Sequence, residues 1–142
     1  MVEGVGGGSA IVVEVCGTGS VFAGRASVGW HELDGQKLCL LTPDMQNRRI
    51  INKSFREAGI APEAWIESNS TVALVANVEG SDWLTVLPSD IARFLVTGKA
   101  LRVIPLSGGG PDHSVGLVAP FREPHTPVLA ALLAEARRMS EA

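Results

Sequence analysis

"KLCLLTPDMQNRRIINKSFREAG", residues 37–59, is an apolar run that stops at Thr42-Pro43-Asp44 and gives way to a polar, doubly basic run. The first five residues have the length and composition of a buried strand. Beyond them the period changes. Ile51, Phe55 and Ala58 recur at i, i+4 and i+7, with Arg48, Arg49, Lys53 and Arg56 largely elsewhere, so the spacing predicts an amphipathic helix over 43–58. Thr42 suits its N-cap, Pro43 its first position and Gly59 its end. A strand that turns straight into a helix is the building unit of a parallel sheet.

The same alternation extends to both sides. "EAWIES" (63–68) reads as a strand, followed by a helix over "STVALVANVEG" that Ser68 or Asn69 can cap. "WLTVL" (83–87) is a third strand, and Ser89 can cap "DIARFLVTG" behind it. Upstream, "AIVVEVC" (10–16) is rich in β-branched residues, "GTGSVFAGRAS" breaks it, and "VGWHELDG" (28–35) makes a short helix closed by Gly35. Downstream, "LRVIPL" (101–106) and "SVGLVAPF" (114–121) are strands around "SGGGPDH". In the last helix Val128, Leu129, Leu132, Leu133, Ala136 and Met139 fall on one broad stripe. Strands separated by helices imply right-handed crossovers, so the expected class is α/β with a mostly parallel sheet. Residues 1–10, four of them glycine, read as a flexible tail.

Composition narrows the function. A chain of 142 residues with 46% hydrophobic and 19% charged side chains suits one globular domain. Its net charge of −3 lacks the basic excess that phosphate neutralisation demands, so direct nucleic-acid binding is not expected. No apolar run is long enough to span a bilayer, and "MVEGVGGGSA" has neither the basic region nor the apolar core of a signal peptide. Cys16 and Cys39 lie in or beside strand-like runs and read as buried, reduced thiols, which fits the cytoplasm. His31, His113 and His125 are scattered, so no metal is expected.

Catalytic constellations do not emerge. "GTGSVFAG" follows a strand, but a dinucleotide loop needs a third glycine that packs a full helix against the strand; Gly24 comes two positions late. Neither "GTGS" nor any other run forms a nucleophile elbow. Asp44, Asp82 and Asp90 each stand near a helix start, where carboxylates are favoured on electrostatic grounds. No enzyme and no cofactor are expected. The strand-to-helix corners are the better candidates, because helix N-termini present unpaired N–H groups and ligands of open α/β sheets sit beyond the carboxyl ends of the strands. Thr42, Pro43, Asp44 and Asn47 mark the first corner, Ser68, Asn69 and Ser70 the second, Pro88 and Ser89 the third. The alternative is that these hydroxyls and amides only cap helices. Trp30, Trp65 and Trp83 read as core or interface.

From about Ile11 to Met139 the ordered pieces resemble the C-terminal part of the effector-binding domain of LysR-type transcriptional regulators. "FAGRASVGWHELDGQKLCLLTPDMQNRRIINKSFREAGIAPEAWIESNSTVALV" is similar to the family's run from the linking strand through its second subdomain. "WLTVLPSDIARFL", "LRVIPL", "SVGLVAPF" and "TPVLAALLAEARR" then match its next segments in order. The resemblance implies a three-layer, type II periplasmic-binding-protein-like lobe over about 16–107, with a return strand and final helix over about 112–140 as a remnant of the first lobe. It also implies a regulatory module that binds a small, anionic metabolite and acts through a winged helix-turn-helix, with that region and most of the first lobe lacking here. The residues matching the family's cleft are Thr42, Pro43, Asn47, Asn69, Ser70 and Pro88. The pattern's small residues fall on Ser81 and Trp83, and Trp83 is a large departure. Cys39 precedes the corner where a peroxide-sensing branch carries its cysteines, so redox sensing is not expected. With the first lobe lacking, the apolar stripe of the last helix needs another apolar surface, and it is expected to pack back onto this domain or to form a homo-oligomer, most simply a dimer. A solute-binding protein of a transporter shares the fold and is the alternative, with a small nucleotide-binding enzyme behind it.

Overall fold

Leu38, Cys39, Leu40 and Leu41 are fully buried on both sides of the chain, and they place β4 (Leu38–Leu41) in the interior of a six-stranded sheet. The computed structural model describes residues 2–10, 12–107, 113–120 and 123–141. By its contacts the chain divides into a unit of residues 11–111 and a second unit of residues 1–10 with 112–142.

The larger unit contains β2 (Val12–Gly17), β3 (Val28–Gly29), β4, α1 (Gln46–Glu57), β5 (Ala64–Ser68), α2 (Thr71–Val78), β6 (Leu84–Pro88), α3 (Ser89–Val96) and β7 (Leu101–Ser107). The spatial order is β3-β7-β2-β6-β4-β5. β4 pairs in parallel with β5 and β6, and β3 with β7, whereas β2 is antiparallel to both β6 and β7. Five strands therefore run one way and β2 runs against them, a mostly parallel α/β sheet of the type II periplasmic-binding-protein-like kind.

Side chains alternate between the faces, so the sheet buries two cores. Ile51 and Phe55 of α1, with Trp30 and Leu33 of a 3₁₀ turn (Trp30–Leu33), cover Leu38, Leu40, Leu84, Val86 and Ile104. Trp30 meets Phe55 edge to face at 5.6 Å. On the other face Leu74, Val75 and Val78 of α2 and Ala92 of α3 cover Val15, Cys39, Leu41, Leu87 and Leu101. Each fully buried leucine contributes about 2 kcal/mol of transfer free energy, and this burial outweighs the modest helix propensities of two eight-residue helices.

Several local expectations are corrected. α1 begins at Gln46, not at residue 43, because Thr42–Met45 form a turn in which the Met45 N–H donates to the Thr42 carbonyl at 3.0 Å. The proline holds Thr42 out of the helical region, and Met45 is still extended at φ −84°, ψ 138°. α2 is capped by Ser70, whose hydroxyl accepts from the Ala73 N–H at 3.2 Å; Ser68 accepts instead from the Ser70 N–H at 3.1 Å. Ser89 does not cap α3, since it is already the first helical residue and Pro88 stands at the N-cap. Gly59 does close α1, in the left-handed conformation at φ +76° that favours glycine.

In the smaller unit residues 2–10 form a strand where the sequence reads as a flexible tail. β1 (Val2–Ala10) pairs antiparallel with β8 (His113–Pro120), from Val2 opposite Pro120 to Ala10 opposite His113. Glycine is a poor strand former on entropic grounds, but its backbone donors and acceptors still satisfy those of a remote partner. α4 (Pro127–Ser140) buries a narrower face than the stripe predicts. Leu133 is buried against Ala119, with Leu129 and Ala136 half-buried, while Val128, Leu132 and Met139 are exposed.

Candidate functional site

Because β6, β4 and β5 are neighbours and parallel, their carboxyl ends lie along one edge of the sheet. Each is followed by a helix, so the starts of α1, α2 and α3 gather on that edge. The first two corners are tied directly, the Thr42 N–H donating to the Ser68 carbonyl at 3.2 Å. Thr42, Pro43, Asn47, Asn69, Ser70 and Pro88 are thereby brought to one edge of the larger unit.

Capping accounts for only one of the three corners. α2 has its Ser70 cap, but neither α1 nor α3 receives a side-chain cap, which leaves first-turn N–H groups of both without side-chain partners. The Thr42 hydroxyl is buried and has no hydrogen-bond partner among the described residues. An isolated buried hydroxyl costs about 1–3 kcal/mol, so it calls for an explanation. Its neighbour Asp44 has a carboxyl held below the usual range, first by the Thr42 hydroxyl, then by its own backbone N–H and by the charge of Arg49. That Thr42–Asp44 approach does not satisfy hydrogen-bond geometry, so it lowers the acid's pKa as a nearby dipole without satisfying the hydroxyl. Asn47 is half-buried and Asn69 exposed, and neither carboxamide has a hydrogen-bond partner among the described residues. Pro88 is buried at the end of β6.

Arg48 is the residue whose role the sequence reading missed. Its guanidinium is buried and donates to the Leu41 carbonyl at 2.6 Å, Glu67 Oε2 at 2.8 Å and Asn52 Oδ1 at 2.9 Å. It locks α1 to the ends of β4 and β5, beneath the corner that holds Thr42. The signal was present: Arg48 precedes Ile51 by three and Phe55 by seven, which places it on the buried face. Arg49, by contrast, is exposed.

The edge offers hydroxyls, amides and helix N-termini, a set that binds polar or anionic groups. Among the described residues no cluster of three metal-ligating side chains occurs. Burial pushes the Cys39 thiol up to about 11, so it is a neutral thiol at physiological pH, and neither Cys16 nor Cys39 is disulfide-bonded. No described helix is long and apolar enough to cross a membrane.

Residues 12–141 match the LysR substrate binding domain. The chain belongs to this family. Among solved structures, a LysR-family transcriptional regulator from Pseudomonas aeruginosa, HinK, is 18% identical with a TM-score of 0.78, and the match covers 99% of this chain and 48% of that one. The effector-binding domain of QuiR in complex with shikimate is 17% identical with a TM-score of 0.79, covering 99% and 66%. Full-length OxyR C199D from Pseudomonas aeruginosa is 18% identical with a TM-score of 0.74, covering 98% and 44%. At such identities the likeness establishes the fold. This LysR substrate-binding domain spans roughly half to two thirds of the length of those structures, from 44% to 66%. Comparison with curated proteins gave no match.

Proposed function

We propose that the chain is the ligand-sensing part of a LysR-type regulator, binding a small anionic metabolite at the carboxyl edge of β6, β4 and β5. Thr42, Pro43, Asn47, Asn69, Ser70 and Pro88 form one wall of the site. The observation that carries the reading is the buried Thr42 hydroxyl without a partner, beside two helix starts without side-chain caps. A ligand acid group supplies what those donors lack, and the positive end of the helix dipole favours its charge. Shikimate, the ligand of the structurally similar QuiR domain, has this chemistry: a small hydroxylated carboxylate.

In this reading the protein acts in the cytoplasm and controls transcription through a DNA-binding region outside this sequence. It works as a homo-oligomer, with the exposed Val128, Leu132 and Met139 of α4 supplying apolar contact surface. Light scattering that returns a strict monomer at all concentrations contradicts the oligomer. For the site, a panel of small organic acids is screened by thermal shift. Acids that stabilise the wild type are expected to lose most of their effect on Thr42→Ala and Asn69→Ala; equal stabilisation of both variants removes the proposed wall.

A further inference from the structure

The hydrogen bonds that fix Arg48 do not use its guanidinium fully. Nη1 donates to the Leu41 carbonyl at 2.6 Å and to Glu67 Oε2 at 2.8 Å, and Nε donates to Asn52 Oδ1 at 2.9 Å. Nη2, which carries two of the five N–H donors of a guanidinium, has no hydrogen-bond partner among the described residues and is not sealed from solvent. The head group also stands close to the proposed wall. The Leu41 carbonyl that it holds belongs to the same peptide unit as the Thr42 N–H, which reaches the Ser68 carbonyl at 3.2 Å.

The partners of Arg48 are not equally firm. Leu41 is fully buried in β4, and Asn52 lies one turn further along the same helix. Glu67 is held through one oxygen only, on a side chain 41% exposed. An exposed pair of this kind favours contact over separation by only about 1.5- to 5-fold. The guanidinium itself is buried, and a buried charge requires a counter-charge. A different carboxylate in the place of Glu67 meets that requirement equally well, and Nη2 lets it bind through two oxygens where Glu67 uses one. Glu67 approaches from the exposed side, so its Oε2 marks a position that a carboxylate reaches from solvent.

We infer that Glu67 is an internal competitor at the carboxyl edge: it neutralises Arg48 in the absence of ligand, and the carboxylate of a ligand displaces it and takes Arg48 through Nη1 and Nη2. This rests on the reading of that edge as an acid site, and it adds Arg48 as the residue that selects for charge. A neutral ligand cannot replace Glu67 as counter-charge, so it gains nothing from Arg48.

The test titrates shikimate, benzoate and succinate, with benzamide as a neutral counterpart, into the ¹⁵N-labelled wild type and its variants. An acid that binds the wild type is expected to bind Glu67→Gln about two- to sixfold more tightly, because the competing carboxylate no longer holds the position. Benzamide is expected to show no such gain. The Arg48 side-chain N–H signals are expected to shift with the acid and not with benzamide. Arg48→Met is expected to bind the acid about tenfold more weakly, and adding Glu67→Gln to it is expected to give no further gain. A gain that came only from removing a negative charge would persist in that double variant. Glu67→Gln alters a half-exposed side chain and keeps the fold, so the first comparison stands even if Arg48→Met does not fold. Acid-induced shifts at Thr42 and Asn69 with an affinity that Glu67→Gln leaves unchanged or weakens would overturn this inference alone. So would a gain that persists without Arg48. No binding of any of the three acids up to about 50 mM, by either the wild type or Glu67→Gln, would remove the carboxyl-edge reading and this inference with it.

Discussion

Replacing Thr42 by valine separates the two accounts of the first corner. The substitution keeps the branched shape and removes one hydroxyl, which is buried without a partner. If the hydroxyl awaits a ligand, the empty protein carries its desolvation cost, and Thr42→Val relieves about 1 kcal/mol of it. For a chain of this length that raises the unfolding midpoint by about 3 °C. Calorimetry and urea titration at neutral pH measure it, with an unchanged urea slope showing that neither end state has altered. The same variant is expected to lose the stabilisation conferred by a bound acid. The competing account makes the hydroxyl a donor to Asp44. Then Thr42→Val lowers the midpoint; in either account the Asp44 carboxyl returns towards its ordinary value, because Thr42 is the first cause of its depression. A carboxyl depressed in the folded state contributes stability above its unfolded pKa, and that contribution fades as pH falls through the folded value. A destabilised Thr42→Val whose deficit fades as pH falls through and below the ordinary carboxylate range would therefore refute the reasoning.

Three further outcomes follow from the packing. Arg48→Met keeps the aliphatic stem but removes three hydrogen bonds, and is expected to cost about 2 kcal/mol by urea denaturation; the share from Glu67 is small because that side chain is 41% exposed. A cost under about 0.5 kcal/mol would show that Arg48 does not lock the corner. Thr85 is fully buried in β6, and its hydroxyl has no partner among the described residues, so Thr85→Val is expected to raise the unfolding midpoint without altering ligand response. The Glu32 carboxyl is held low first by Arg25, which meets both its oxygens at 3.0 Å, and next by the Gly29 N–H. NMR titration of Arg25→Ala is expected to move the Glu32 pKa upwards, and an unchanged value would show the pair to be dispensable.

How much of this was legible in the sequence depends on whether the determining contact is local. The strand "KLCLL", the helix behind it and its Gly59 stop follow from period and turn chemistry, and the structure differs by only a few residues. The start of α1 was misread because Thr42-Pro43-Asp44 satisfies the rules for a cap and for a turn equally, and the Met45-to-Thr42 bond decides for the turn. The direction of β2 was not legible, since "AIVVEVC" pairs with strands about 70 to 90 residues away and antiparallel insertion leaves no mark on its own pattern. The pairing of β1 depends in the same way on a strand more than 100 residues away. At the candidate site, the residue types and their common edge could be read from the corners. The vacant hydroxyl of Thr42 could not, because it depends on which backbone groups the turn has already used. Trp65 read as core or interface, and only a β-bulge in β5 turns it outward.

The central claim is that a small acid binds the carboxyl edge of β6, β4 and β5. Amide chemical shifts of the ¹⁵N-labelled chain, followed while the best acid from the thermal screen is added, measure it directly. The account predicts saturable shifts concentrated at residues 42–48, 68–71 and 88–90, with the same apparent affinity at all three corners. Shifts confined to other segments, or different affinities at the three corners, would contradict it.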